Sequence, residues 1–132
     1  MMFKKIEAII REEALNDVKE ALRAIGIVGM NVVSVRGHGR QGGIEMVWRG
    51  SSYRMDMLPK IQVNIVLSER NVEKTVEAII KAAQTGAEGD GVIFIVPVED
   101  VIRIRTGERG PTALTYTDDI DERREQGATG KK

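Results

Sequence analysis

The chain has 132 residues, and its 20 basic and 20 acidic side chains give a formal net charge of zero. This length predicts a single domain, and a hydrophobic fraction of 42% is typical of globular proteins. Zero net charge and only one Trp, two Tyr and two Phe argue against nucleic-acid binding. Without cysteine, disulfides and thiolate zinc sites are excluded. No segment resembles a signal peptide or a membrane span, so we expect a cytoplasmic protein without membrane insertion.

Hydrophobic periodicity predicts two successive strand-helix-strand units. Alternation of apolar residues marks the strands, and apolar residues three and four apart mark the helices. We expect Gly26 and Gly86 to end the two helices, and Ser68 with Asn71 to cap the second one. The predicted elements are strands over 3–11, 30–35, 61–67, 92–96 and 101–105, and helices over 15–25 and 72–83.

This order of elements predicts an α+β fold of the ferredoxin-like type. Its βαββαβ pattern forms an antiparallel four-stranded sheet with both helices on one face. Alternate residues on both faces of the strands are largely apolar, so the second face also needs cover. Self-association, for example as a homotrimer, is the simplest way to cover it.

The segment between the second and third strands, residues 36–56, is too long and hydrophilic for a tight hairpin and is predicted to carry function. Four glycines occur within Arg36–Gly43. Glycine lets main-chain amides approach a ligand closely, and arginine adds positive charge. This combination favours binding of a phosphate or a carboxylate, although a solvated loop would have a similar composition.

Catalysis is not indicated. His38 is the only histidine, and it has no partner at metal-ligand spacing. No Ser-His-Asp set can be assembled. Asp90 between two glycines has the pattern of a plain turn residue, and Arg103 with Arg105 fits one solvated face of a strand. For Asp90, Arg103 and Arg105, residue type and position alone leave both the structural and the functional interpretation open.

Five sequence blocks, in order, make the chain similar to the PII nitrogen-regulatory signal proteins over residues 4–110. The first block is Lys4-Lys-Ile-Glu-Ala-Ile-Ile-Arg11, which resembles the first PII strand. The others are Gly37-x-Gly-Arg-Gln41, Tyr53 with Asp56-x-Leu-Pro-Lys60, Thr85-Gly86 with Gly89-Asp-Gly-x-Ile-Phe94, and Pro97-Val98 with Ile102-Arg-Ile-Arg-Thr-Gly107.

The resemblance implies a homotrimer with ATP or ADP bound in each cleft between subunits, joined by 2-oxoglutarate when Mg-ATP is present. It implies that Gln41 binds Mg²⁺, and that Lys60 pairs with a carboxylate of 2-oxoglutarate beside Gln41 and Gly43. The implied nucleotide-binding residues are Gly37, Gly39, Arg40, Gln41, Gly89, Asp90, Gly91, Arg103 and Arg105.

The resemblance further implies that residues 38–56 form the T-loop, the arm that contacts partner proteins. Arg49 matches the arginine that PII proteins insert into an ammonium transporter, and Tyr53 is a second partner-contact residue. Tyr53 also corresponds to a uridylylation site and Ser51 to a phosphorylation site of some members. Implied partners are an ammonium transporter and nitrogen-metabolism enzymes or regulators, with membrane association only through the transporter.

Four positions depart from the PII pattern. Val92 replaces a lysine that meets the phosphates, Gly42 replaces a lysine, Asn64 a glutamate and Asn31 a threonine. The alternative is therefore a PII-like sensor that binds adenine nucleotide without 2-oxoglutarate. An enzyme of ferredoxin-like fold and a metal-tolerance trimer are two further alternatives, which the missing catalytic and metal-ligand residues disfavour.

The sequence divides into a PII-like domain over residues 1–110 and a C-terminal tail over 111–132. Glycine and charge from Thr106 onward predict irregular structure. We expect residues 118–132 to be mobile or held only by a partner.

Overall fold

The computed structural model describes residues 2–37, 44–48, 51–55 and 57–128, with the backbone alone for 44–48, 51–55 and 126–128. The strands are β1 (Phe3–Ile10), β2 (Asn31–Gly37), β3 (Ile44–Trp48), β4 (Ser51–Met55), β5 (Leu58–Ser68) and β6 (Gly91–Val98). The α-helices are α1 (Leu15–Ala24), α2 (Val72–Ala83) and α3 (Ile120–Ala128). Short 3-10 helices occupy Glu12–Ala14, Glu69–Asn71 and Gly110–Leu114.

Strands β2, β5, β1 and β6 form an antiparallel sheet in that order. The two central strands are β1 and β5, in which Ile6 pairs with Ile65 and Ala8 with Val63. This order and the two strand-helix-strand units confirm the predicted ferredoxin-like α+β fold.

The core lies between the sheet and the helices α1 and α2. The predicted alternation is confirmed, since Ile6, Ala8 and Ile10 of β1 are buried. In β5 the same face carries Ile61, Val63, Ile65 and Leu67, all buried. Val18 and Leu22 of α1 and Ile79 of α2 complete this core from the helix side.

The two ends of α2 differ from the prediction. Neither Ser68 nor Asn71 caps a helix with its side chain, because a 3-10 turn over Glu69–Asn71 precedes α2. The helix ends at Ala83, before Gly86, because the backbone of Gln84 is extended. Thr75 is buried and donates to Asn71 O, whereas Ile80 is 43% exposed.

The second face of the sheet carries exposed apolar side chains in its outer strands. Val33 of β2 and Val92 and Phe94 of β6 are each about half exposed. Phe94 lies opposite Glu7 and Val33 lies opposite Gln62, whereas Val92 lies opposite the apolar Ile9.

The predicted long loop contains regular structure. Strands β3 and β4 pair with each other as a separate two-stranded sheet, with Ile44 opposite Met55 and Trp48 opposite Ser51. These segments contain Ile, Val, Trp and Tyr, which favour extended backbone. Residues 36–56, predicted as one long functional loop, therefore contain two paired strands.

The predicted final strand over 101–105 was also wrong. Ile102 forms only an isolated bridge with Arg109, and the chain turns at residues 104–106. Ile104 is 99% exposed, so the apolar alternation here does not mark a buried face. Arg103 and Arg105 consequently do not share one side of a strand.

The tail is ordered where the prediction expected irregular structure. Its helix α3 begins at Ile120, which is 7% exposed and belongs to the hydrophobic core. The buried Ile120 anchors a segment that is otherwise rich in charged residues. Amino-acid composition does not indicate such an anchor. Residues 129–132 lie outside the described part of the chain.

Candidate functional site

A loop over residues 84–91 connects α2 to β6 and is organised by the carboxylate of Asp90. The Oδ2 atom accepts hydrogen bonds from the backbone N–H of Thr85 at 2.7 Å and of Gly86 at 2.8 Å. The Thr85 hydroxyl donates to Oδ1. These bonds, those from Thr85 first, hold the pKa of Asp90 far below its ordinary value. Asp90 is therefore ionised and committed to shaping the loop.

Two glycines in this loop have backbone conformations that favour glycine. Gly89 has φ of 97° and Gly91 has φ of 117°. At Gly91 a Cβ atom would lie 1.8 Å from Ile9 O, inside the neighbouring strand β1. The packing of β6 on β1 therefore requires glycine at position 91, and its role in nucleotide binding stays a prediction.

Two cationic side chains, those of Arg11 and Lys60, donate hydrogen bonds to the 84–91 loop. Arg11 donates from Nε to Asp90 Oδ1 at 3.2 Å and from Nη2 to Glu88 O at 2.7 Å. Lys60 donates from Nζ to Gly89 O at 2.8 Å. Burial, and then the charge of Arg11, lower the pKa of Lys60. The two side chains thus concentrate positive charge at one loop.

The structure brings together five of the residues that the sequence selected. Lys60 joins Gly89, and its Cγ lies 3.6 Å from where a Cβ of Gly37 would be. Gly37, at the end of β2, pairs with Leu58 at the start of β5. Gly37, Lys60, Gly89, Asp90 and Gly91 therefore share one end of the sheet.

Thr85 was part of a motif block but assigned no role of its own, and Arg11 was not selected as a site residue, yet both hold this loop in place. Arg11 carries no local signal beyond a cation placed after an apolar strand. Its partner Asp90 lies 79 residues further along the chain, so only the tertiary structure reveals the pairing.

Arg103 and Arg105 lie elsewhere. Arg103 donates from Nη2 to Ala113 O and to Thr115 O, both at 3.1 Å. Its guanidinium carbon lies 5.5 Å from the centre of the Tyr116 ring. Arg105 is exposed in the turn. Within the part of the chain that the structure describes, neither arginine bonds to the 84–91 loop.

The remaining predicted residues cannot be placed. His38, Gly39, Arg40, Gln41, Gly43 and Arg49 lie outside the described residues. The Mg²⁺ site predicted at Gln41 stays a prediction for the same reason. Tyr53 and Ser51 belong to β4, of which only the backbone is described. In the described ranges no group of three His, Asp or Glu side chains is arranged to hold a metal ion.

A cavity of about 650 Å³ lies beside the same sheet, between the α1–β2 connection and the tail. Its lining includes Asn31 and Asn64, whose amides are joined by a 3.0 Å hydrogen bond from Asn64 Nδ2 to Asn31 Oδ1. Asn64 Oδ1 also accepts from Gln62 Nε2 at 2.8 Å. Tyr116 of the tail lines the other side. No sequence pattern indicates this cavity, because the residues that line it are distant in the chain.

Comparison with known proteins decides the family. A family model described as nitrogen regulatory protein P-II matches residues 3–108. The chain belongs to the P-II family. Proteins of this family are signalling regulators rather than enzymes, and this chain is accordingly a regulatory protein.

Individual relatives agree over nearly their whole length. The nitrogen regulatory protein P-II of Azospirillum brasilense is 50% identical over 111 residues, covering 84% of this chain and 99% of the relative. P-II 2 of Methanothermobacter thermautotrophicus is 53% identical over 114 residues, covering 86% and 99%.

A solved structure supports the same conclusion. Arabidopsis thaliana PII bound to citrate superposes with a TM-score of 0.70 at 41% identity, covering 85% of this chain and 92% of that one. The family match ends at residue 108, before the 3-10 helix and α3 of the tail. None of the described helices is both long and apolar enough to cross a membrane.

Proposed function

We propose that this P-II protein senses the adenylate state by binding ATP or ADP in clefts between the subunits of a homotrimer. The observation that carries the proposal is the convergence of Lys60, Gly37 and the Gly89–Gly91 loop at one end of the sheet. Glycine-rich backbone beside a cation suits phosphate oxygens. Asp90 contributes by fixing the loop, and Gly39, Arg40, Gln41, Arg103 and Arg105 complete the proposed site.

The open face of the sheet supports the homotrimer. Val33, Val92 and Phe94 expose roughly half of their surface on this face. Burying such side chains against another copy is favourable by about 25 cal/mol per Å². Association would also place Arg103 and Arg105 of one subunit near the loop of another, which a single chain does not do.

The second proposed ligand is 2-oxoglutarate, bound together with Mg-ATP. Lys60 supplies the cation for a carboxylate, with Gln41 and Gly43 nearby and Gln41 also a ligand of Mg²⁺. A partly desolvated ammonium group makes a stronger charge-assisted hydrogen bond than an exposed one. The lowered pKa of Lys60 is consistent with such desolvation.

Residues 38–56 act as the effector arm in this proposal. Ligand binding at the base of the arm would favour one of its conformations. Arg49 and Tyr53 would contact an ammonium transporter or a nitrogen-metabolism protein, and modification of Tyr53 or Ser51 would add negative charge that opposes docking. The protein would act in the cytoplasm and reach the membrane only through its transporter.

A second candidate function is an adenine-nucleotide sensor that ignores 2-oxoglutarate. It is favoured by Val92, which is 48% exposed directly after Gly91 and supplies no charge. Asn64 also favours it, because its amide is engaged by Asn31 and Gln62 and has no carboxylate to offer.

Calorimetric titration distinguishes these functions. The protein is titrated with ADP, with ATP and Mg²⁺, and with 2-oxoglutarate in the presence and absence of Mg-ATP. Lys60→Gln should weaken 2-oxoglutarate binding by about tenfold or more, because a charge-assisted contact is lost. Lys81→Gln, at an exposed position on α2, is the matched control.

Each result has a definite meaning. Binding of 2-oxoglutarate only with Mg-ATP, reduced by Lys60→Gln, establishes the first function. Nucleotide binding without a 2-oxoglutarate response establishes the second, and the absence of nucleotide binding refutes both. Light scattering should give three times the 14.6 kDa of one chain, and a monomer would contradict the trimer.

A further inference from the structure

The C-terminal segment 110–128 lies beyond the family match and folds back onto the domain. The backbone N–H of Ile120 donates to Gly26 O at 2.8 Å, and the Ile120 side chain is buried. Asp119 starts α3 by accepting from Tyr116 N at 2.8 Å and from Glu122 N at 2.9 Å. The segment is thus docked at a specific place.

A polar contact beside α2 adds to this docking. Asp121 Oδ1 accepts from Arg70 Nη2 at 2.9 Å and from Asn71 Nδ2 at 2.8 Å. Arg124 Nη2 donates to Asn71 Oδ1 at 2.9 Å and to Arg70 O at 3.1 Å. The Arg70–Asp121 ion pair is partly exposed and of modest strength, whereas Asn71 is fully buried.

The docked segment occupies Arg103. Both carbonyls that accept from Arg103 Nη2, those of Ala113 and Thr115, belong to it, and so does the Tyr116 ring beside the guanidinium. A guanidinium binds a phosphate bidentately through one of two pairs of N–H groups, here called forks: Nε with Nη2, or Nη1 with Nη2. Each fork uses an Nη2 hydrogen. With both of these hydrogens donated to carbonyls, neither fork is complete.

We propose that the C-terminal segment competes intramolecularly with a nucleotide phosphate for Arg103. This inference depends on the proposed function, in which Arg103 contacts that phosphate. Engagement of the phosphate by an Arg103 fork requires the release of at least one tail carbonyl. Nucleotide binding therefore loosens the segment, and docking of the segment weakens nucleotide binding by the same factor, because coupling between two sites is reciprocal.

Through this competition, nucleotide binding would also change the surface formed by the C-terminal segment. Tyr116 and Ile120 both line the cavity beside Asn31 and Asn64. Loosening of the segment would open that cavity and expose α3. The ligand state would then be reported at the tail as well as at the arm over residues 38–56.

The test uses the full-length chain and the double substitution Asp121→Asn with Arg124→Gln, which weakens the contact with Arg70 and Asn71 while leaving Ile120 in the core. Glu125→Gln, at an exposed position of α3, is the matched control. Hydrogen exchange at the Ile120 amide, which bonds to Gly26 O, reports undocking directly. ADP affinity is measured by calorimetry for each chain.

The double variant is expected to exchange its Ile120 amide faster and to bind ADP about fivefold more tightly or better. In the parent chain, saturating ADP should accelerate exchange at the same amide. When Arg103→Lys is added, the gain in affinity should disappear, because lysine has no fork to release.

The outcomes separate this inference from the proposed function. If Arg103→Lys weakens ADP binding but the double variant binds ADP equally or less tightly than the parent, the tail does not compete and the nucleotide function stands. If Arg103→Lys leaves ADP binding unchanged, the competition is refuted while nucleotide sensing remains. If no chain binds ADP, both proposals fail together.

Discussion

Arg11 donates to Asp90 Oδ1 at 3.2 Å, and this pair connects the end of β1 to the loop that precedes β6. The same arginine donates to Glu88 O, so it holds the loop through both a side chain and the backbone. Together with the Asp90 bonds to Thr85 and Gly86, the contact gives the glycine backbone a defined shape. A preformed loop loses less conformational entropy when it meets a ligand.

Replacement of Arg11 by Gln should loosen this loop without disrupting the fold. The amides of Thr85 and Gly86 should exchange faster, and nucleotide affinity should fall. The control Arg23→Gln removes an exposed arginine that pairs with Glu20 on α1. Equal exchange in both variants and the parent would show that Arg11 does not support the loop.

The ionised form of Asp90 should make folding pH-dependent at the acid end. Its pKa is lowered in the folded state, chiefly by the bonds from Thr85, so its contribution is present above the ordinary value of 3.8. That contribution is lost as the pH falls below this value towards the folded-state pKa. The difference in stability between the parent and Asp90→Asn should therefore shrink in acid, as measured by urea unfolding from pH 6 to pH 2. A constant difference would contradict the prediction.

Lys60 should titrate below its ordinary pKa of 10.5, first because of burial and second because of the charge of Arg11. Arg11→Gln should raise the Lys60 pKa, and Arg23→Gln should not. Lysine side-chain NMR over pH 8–12 measures both effects. Because folding disfavours the protonated amine, Lys60 should also make the folded chain more stable as the pH rises towards 10.5.

Gly91 should tolerate substitution much less than Gly86. Both have positive φ, 117° and 89°, but only at Gly91 would a Cβ meet backbone, at 1.8 Å from Ile9 O. We expect Gly86→Ala to cost about 1–2 kcal/mol of unfolding free energy from backbone strain. Gly91→Ala should cost more than about 3 kcal/mol, because β6 must move away from β1. Similar losses in urea unfolding would show that the close approach does not limit this position.

Asn31 and Asn64 should be energetically coupled across the sheet. Asn64 is 7% exposed, and its amide bonds to Asn31 and Gln62. A double-mutant cycle with alanine at both positions should give a coupling of about 0.5–1.5 kcal/mol in unfolding free energy. The exposed Thr106–Glu108 hydrogen bond provides the comparison and should give less than about 0.5 kcal/mol. Equal couplings would mean that the burial of Asn64 adds nothing to its interaction with Asn31.

Local sequence patterns were sufficient to predict the four-stranded sheet, because apolar residues alternate in β1 and β5 and recur at helical spacing in α1 and α2. The motif blocks also determined the family and selected Gly37, Lys60 and Gly89–Gly91. Local patterns suffice for these features, since each depends on residues close together in the chain.

Tertiary structure decided the features that depend on distant partners. It joined Arg11 to Asp90, separated Arg103 from the glycine loop, and docked a charged tail through the buried Ile120. The tail was predicted to be irregular because it is rich in charged residues. Its docking depends instead on the burial of Ile120 in the core and on the carbonyls that accept from Arg103. Such long-range contacts leave no local periodicity, so only the folded chain shows that carbonyls of the C-terminal segment occupy the Arg103 guanidinium.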